Sequence, residues 1–245
     1  MVIGISGRLG SGKDTVGKII QYLQCYNVGE ITIDDVINNP EHEWWLEEQS
    51  KFEIKKFAGK LKQIGSLLTG IPIEKFEDQE FKKTNLEKNW DVKSKYRDRR
   101  PPTPMTVREF LQKLGTEAMR DGLHTNVWVN ALFADYIPNC DKFESKMLQT
   151  GGNYTSSICS NCNCFSNWII TDMRFPNEME SVELREGITI RVVRQDMHSL
   201  EAMIPAHASE TALDDAKFDY TIENNGTLDE LVEKVREILT KEKMI

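Results

Sequence analysis

At 245 residues the chain is about 1.6 times a ~150-residue domain, which favours one large domain carrying insertions and excludes a peptide-scale or fibrous protein. Hydrophobic residues at 39% and charged residues at 29% describe a globular protein that folds without disulfide staples. A net charge of −8, from 31 Lys+Arg against 39 Asp+Glu, has the wrong sign for wrapping a nucleic-acid backbone, so an anionic ligand must be held by local positive groups. No run approaches the ~18 apolar residues of a membrane span and no signal-peptide pattern is visible. The five cysteines read as reduced thiols, which places the protein in the cytoplasm without membrane or direct nucleic-acid partners.

Residues 1–6 form an apolar run that ends at a glycine cluster, as a buried parallel strand does when it feeds a tight turn. Val16, Ile19, Ile20 and Leu23 then recur at helical spacing after Lys13. The acidic, Trp-containing stretch 26–52 has no assignable pattern. FEIKKFA at 52–58 reads as a second strand and 60–68 as a helix, followed by a polar, charged loop over 73–104 whose prolines oppose helix. Thr106 and Glu109 make a capping box for a helix over about 106–120, and another helix covers about 126–137. The Ser-, Asn- and Cys-rich segment 139–167 reads as a surface insertion. WIITD at 168–172 is a strand, Pro176 starts a helix through about 185, and 188–194 and 218–224 are further strands. Thr227 and Glu230 cap a last helix with Leu228, Leu231, Val232, Val235 and Ile238 on its buried face. Alternating β and α elements predict an α/β, doubly wound parallel sheet flanked by helices. The expectation is a single domain over 1–245, with an acceptor-side insertion at about 26–104 and a surface insertion at about 139–167.

Gly7, Gly12 and Lys13 satisfy G-x-x-x-x-G-K between a strand and a helix. Backbone N–H groups of such a loop turn toward phosphates, the helix N-terminus adds partial positive charge, and the lysine reaches the β and γ phosphates. The next residue is Asp14 where a Mg²⁺-ligating hydroxyl usually stands; an Asp could hold the metal through water and leave Thr15 to touch a phosphate.

The spacing Gly7, Gly10, Gly12, Lys13, x, Thr15 resembles the adenylate-kinase-like branch of P-loop kinases. More narrowly, GSGKDT resembles the bacteriophage deoxynucleoside monophosphate kinases. FAGKLK at 57–62, the run 105–132, TDMRFPNE at 171–178, HASETALDD at 207–215 and IENNGTLDEL at 222–231 agree with that family in order. The segments 26–52 and 139–167 carry no part of the resemblance. It implies a P-loop kinase fold with acceptor-binding and lid insertions, and a kinase that moves the γ-phosphoryl group of ATP to a deoxynucleoside monophosphate. ATP and Mg²⁺ would be its cofactors and nucleotides its partners; a homodimer is compatible with it. Two alternatives stay open: a kinase of another small phosphorylated metabolite, and a nucleotide-binding ATPase or switch with no small acceptor.

The expected catalytic residues are Lys13, Arg174, Arg120 and Asp172. Gly10, Ser11, Gly12, Lys13, Asp14, Thr15 and Arg194 would bind ATP, with Asp14, Thr15 and Asp172 near the metal. Asp172 ends an apolar strand, where an acid can hold Mg²⁺ through water, and Arg174 could reach a transferring phosphoryl group; an ordinary acid–arginine pair is the plain alternative. Asn177 and Glu178 could simply cap the next helix. On the acceptor side stand Phe57, Ala58, Lys62, Arg108, Arg120 and Trp128. Arg108 and Arg120, 12 residues apart, are read as returning to a similar azimuth of a helix that resembles the family's acceptor-site helix, with Lys113 on it as well. Phe57 could equally be core, and Trp128 could stack on a base or fill core. Arg191 and Arg194 are expected to face the triphosphate as part of a closing lid. The basic loop residues Lys93, Lys95, Arg97, Arg99 and Arg100 are read as solvated, with substrate capture as the sharper alternative. His207, Ser209 and Glu210 suggest no hydrolytic triad, and Ser209 is read as a cap. Cys140, Cys159, Cys162 and Cys164 supply four thiols for a structural zinc, but without a second C-x-x-C pair or a nearby histidine a polar surface loop is preferred.

Overall fold

In the N-terminal strand every residue from Val2 to Ser6 is buried, so both faces of β1 (Val2–Gly7) must be covered. The computed structural model describes residues 1–26, 29, 31–92, 101–138, 165–194 and 211–245. The expectations for the basic residues at 93–100, for Cys140, Cys159, Cys162 and Cys164, and for His207, Ser209 and Glu210 lie outside the described residues.

The chain divides into two compact units, residues 1–56 with 133–245, and residues 57–132. In the first, five parallel strands run in the order β2-β3-β1-β4-β5, with β2 Phe52–Lys55, β3 Asn167–Ile170, β4 Ile188–Val193 and β5 Tyr220–Glu223. β1 is central, its Gly4 opposite Ile170 on one side and Thr189 on the other.

Side chains alternate across a strand. Ile3 and Ile5 join the core formed by α1 (Lys13–Leu23) and the C-terminal helix, through Val16, Ile19, Ile20, Val235 and Leu239. Between them Gly4 turns the other way, where a Cβ would lie 3.0 Å from Val182 of the helix Pro176–Glu183. Helices therefore cover both faces, and the sheet is doubly wound as expected.

The same unit holds α2 (Ile33–Asn38) and α3 (Glu43–Gln49) in the stretch left unassigned from sequence. Thr32 and Asp35 form the capping box of α2. β2 stops at Lys55, and α4 (Phe57–Thr69) begins where the strand was expected to continue, so Phe57 and Ala58 belong to its first turn. β3 likewise ends at Ile170, which puts Asp172 in the following turn and not on the strand.

The second unit contains α4, three short 3₁₀ turns and α5 (Val107–Gln112), which starts at the expected Thr106–Glu109 capping box. From Lys113 to Asp121 that helix continues as a π-helix. The expected uniform α spacing fails there, so the azimuth inferred for Arg108 and Arg120 does not apply. α6 is Val127–Phe133, shorter than expected; the helix Pro176–Glu183 is α7, and Leu228–Lys241, capped by Thr227 and Glu230 as expected, is α8.

Candidate functional site: a phosphate loop at the end of the central strand

The residues after β1 have to reverse direction within a few positions to enter α1, and Gly10 and Gly12 do so at φ of 76° and 92°. A Cβ on Gly12 would lie 2.3 Å from Asn224 Nδ2, so this position admits no side chain without displacement. Asn224 follows β5 and donates from Nδ2 to the Ser11 carbonyl at 2.9 Å, pinning the loop from the far end of the chain. The loop borders an open pocket of about 440 Å³. Six expected residues line it together: Gly10, Gly12, Lys13, Asp14, Thr15 and Arg194. Asn224, Gly226, Thr227 and Leu228 line it too; they fall in the run 222–231, and their place after a parallel strand is the physical signal for them. Ser11 lies beneath, with Oγ buried and no hydrogen-bond partner among the described residues.

Lys13 is only 7% exposed, and its ammonium lies 3.7 Å from Asp14 Oδ2. The other oxygen, Oδ1, accepts from the Thr171 hydroxyl at 2.9 Å and faces Lys56 Nζ at 3.3 Å. Thr171 is fully buried after β3, and Lys56 follows β2, so three strands deliver the groups that surround this carboxylate. Burial alone would raise the Asp14 pKa; the charges of Lys56 and then Lys13, with the Thr171 hydrogen bond, outweigh it and hold the carboxyl below its usual value. Loop amides, an eleven-residue helix N-terminus, Lys13 and the exposed Arg194 suit an anionic, phosphate-bearing ligand.

Asp172 and Arg174 are both half-buried. Glu178 is buried and accepts from the backbone N–H groups of Arg174 (2.7 Å) and Phe175 (3.1 Å), which is the capping role expected for it. Arg191 donates to Ser6 Oγ at 3.0 Å and to Asp214 at 2.6 Å, and Asp214 also accepts from Arg8 at 2.9 Å. Of the two arginines expected at a lid, Arg194 lines the pocket and Arg191 is held by this pairing.

In the unit 57–132, Arg108 is exposed and donates to Gln79 Oε1 at 3.2 Å, whereas Arg120 is 8% exposed. Lys113 is exposed. Lys62 is buried and ion-paired to Glu77. Phe57 is buried, Ala58 is half-buried, and Trp128 is 5% exposed with Nε1–H donating to the Gly115 carbonyl at 2.8 Å, which fits the packing reading of both aromatic rings.

Among the described residues no group of three or more His, Cys, Asp or Glu could hold a metal. Asp14 and Thr15 share the pocket wall, whereas Asp172 is not among its lining residues; oxygen donors of this kind are what Mg²⁺ takes, with water and substrate phosphates completing its shell. Among the described residues no helix is long and apolar enough to cross a membrane.

Comparison with known proteins adds a family. The sequence model described as deoxynucleotide monophosphate kinase matches residues 39–235. Its span starts after the phosphate loop, so the loop is independent support. The deoxynucleotide monophosphate kinase of Enterobacteria phage T4 is 28% identical over 134 residues, 55% of this chain and 45% of its own length. That of Escherichia phage RB69 is 29% identical with the same coverage. The chain thus spans about half the length of the curated relatives it matches.

Proposed function

The chain belongs to the deoxynucleotide monophosphate kinase family, and from that premise we propose that it transfers the γ-phosphoryl group of ATP to a deoxynucleoside monophosphate. The observation that carries the reading is the loop after β1, where Lys13, Thr15, Arg194 and two left-handed glycines border one pocket. The triphosphate lies along that loop, with backbone N–H groups and Lys13 on its phosphates. A phosphate oxygen of the acceptor attacks the γ phosphorus, the bond from that phosphorus to the β–γ bridging oxygen breaks, and ADP leaves with the electron pair. The attacking oxygen is already anionic, so no general base is needed. Asp14, Thr15 and Asp172 would hold Mg²⁺, which supplies charge neutralisation when bound. Arg174 neutralises charge on the transferring group, and Arg108 and Arg120 bind the acceptor.

The test is ADP release from ATP and Mg²⁺ with each deoxynucleoside monophosphate, the matching ribonucleotides and a control without acceptor. Stimulation by particular deoxynucleotides supports the reading and names the base preference. ATP binding without stimulation by any of them overturns it in favour of another acceptor. Lys13→Ala is expected to lower turnover by at least about a hundredfold with an unchanged melting temperature.

A further inference from the structure

In the general G-x-x-x-x-G-K-[ST] loop the residue after the lysine is a neutral hydroxyl; here a carboxylate stands there, in the first turn of α1 and on the pocket wall. A fixed negative charge at an anion site needs a reason. The carboxylate is held in place: Thr171 Oγ1 donates to it at 2.9 Å and Lys56 Nζ lies at 3.3 Å. Thr171 can stand so close to α1 because Gly17, one turn on from Asp14, has no Cβ; one added there would meet Thr171 Cγ2 at 2.6 Å. Swinging Asp14 out of the way would break the hydrogen bond and the ion pair together.

We infer that Asp14 couples nucleotide binding to a divalent cation: its carboxylate opposes a metal-free triphosphate at the loop and becomes favourable only when the cation accompanies the phosphates. The inference rests on the donor-nucleotide reading above. Lys13, the buried cation that would meet the phosphates, already has Asp14 Oδ2 at 3.7 Å as an internal counter-ion, so a bare polyanion must share that ammonium with a carboxylate of its own sign. A divalent cation reverses the balance, because carboxylate and phosphate oxygens are both its preferred ligands. By linkage, nucleotide must raise metal affinity by the same factor that metal raises nucleotide affinity.

The experiment is calorimetric titration of the full chain with ATP, in EDTA and in excess Mg²⁺, for the wild type and Asp14→Asn. The amide keeps an acceptor for Thr171 and removes only the charge. In the wild type Mg²⁺ is expected to tighten ATP binding about tenfold or more, and in Asp14→Asn about threefold or less, with the difference arising from tighter binding in EDTA. A metal effect equal in the two proteins, or weaker binding of the variant in EDTA, overturns the inference while leaving the donor site intact. Failure of the wild type to bind ATP with Mg²⁺ overturns the donor reading and the inference with it. Should melting curves show Asp14→Asn to be unfolded, Asp14→Ala, which removes the charge and offers the cation no ligand, carries the same expectations.

Discussion

A side chain at position 12 would meet two obstacles, a φ of 92° and the Asn224 amide 2.3 Å from where its Cβ would stand. Gly12→Ala is therefore expected to lose about 1–3 kcal/mol of stability in denaturant titration, and more in ATP affinity than Asn224→Ala does. Asn224→Ala removes one hydrogen bond to the loop, costing about 1 kcal/mol, and should raise the KM for ATP while changing kcat less. The local half of this site was legible in the sequence: Gly10, Gly12, Lys13, Asp14 and Thr15 follow one another, and the loop chemistry dictates their spacing. The distant half was not. Lys56, Thr171 and Asn224 reach the loop from the ends of β2, β3 and β5, and no local pattern gives the contacts they make there. Asp214 was equally hidden, since its role is to pair with Arg8 and Arg191 from remote parts of the chain.

The helices with a capping box in the sequence at 106–109 and 227–230 begin where read. α8 has its capping box and its apolar face, and Thr227→Ala is expected to cost about 1 kcal/mol by thermal melting, with Thr227→Ser recovering most of it. The other end of α8 is tied to β5 by the Tyr220 hydroxyl, which donates to the Glu242 carboxylate. That hydrogen bond, then burial and the Glu242 charge, push the Tyr220 pKa up to about 12. The folded state thus favours the neutral phenol, so the stabilisation is fully present below the ordinary value near pH 10. It is lost as pH rises through about 12. Tyr220→Phe should flatten that alkaline fall, measured as stability against pH; an unchanged profile would remove Tyr220 from the account.

Element boundaries failed where two periodicities overlap. FEIKKFA alternates like a strand up to Lys55, but its Phe57 also opens the apolar stripe of α4, and the helix claims it. The π segment left no local signal either. There the Gly115 carbonyl accepts the indole N–H of Trp128, a partner thirteen residues on. Trp128→Phe leaves that carbonyl without this donor and is expected to cost about 1–3 kcal/mol.

For the whole molecule, the alternation of β and α elements was enough to read a doubly wound parallel sheet, while strand order required the structure, since no local pattern says which strand lies beside which. The division at 57–132 was also hidden, because the composition of the chain does not change at its borders. Pro138 and Phe165 pair as an antiparallel bridge, and the rings of Tyr136 and Phe165 stack with centroids 4.9 Å apart. Pro138 and Phe165 therefore stand at adjacent backbone positions in the first unit. Replacing residues 139–164 with a short Gly-containing turn is expected to shift the melting temperature by only a few degrees, in line with a change of about 1 kcal/mol; loss of the folded state would show that the segment contributes to the core.

The central place of β1 also bears on how the protein is made. Its neighbours β3 and β4 come late, and the α-amino group of Met1 meets Asn167 across 166 residues of chain. At ribosomal speeds the first strand emerges roughly ten to thirty seconds before its first partner does. Residues 57–132, a contiguous unit, are all synthesised within that interval. The strand that anchors the phosphate loop is thus synthesised before both its partners and paired late, and its apolar residues are in need of shelter while the chain is still growing.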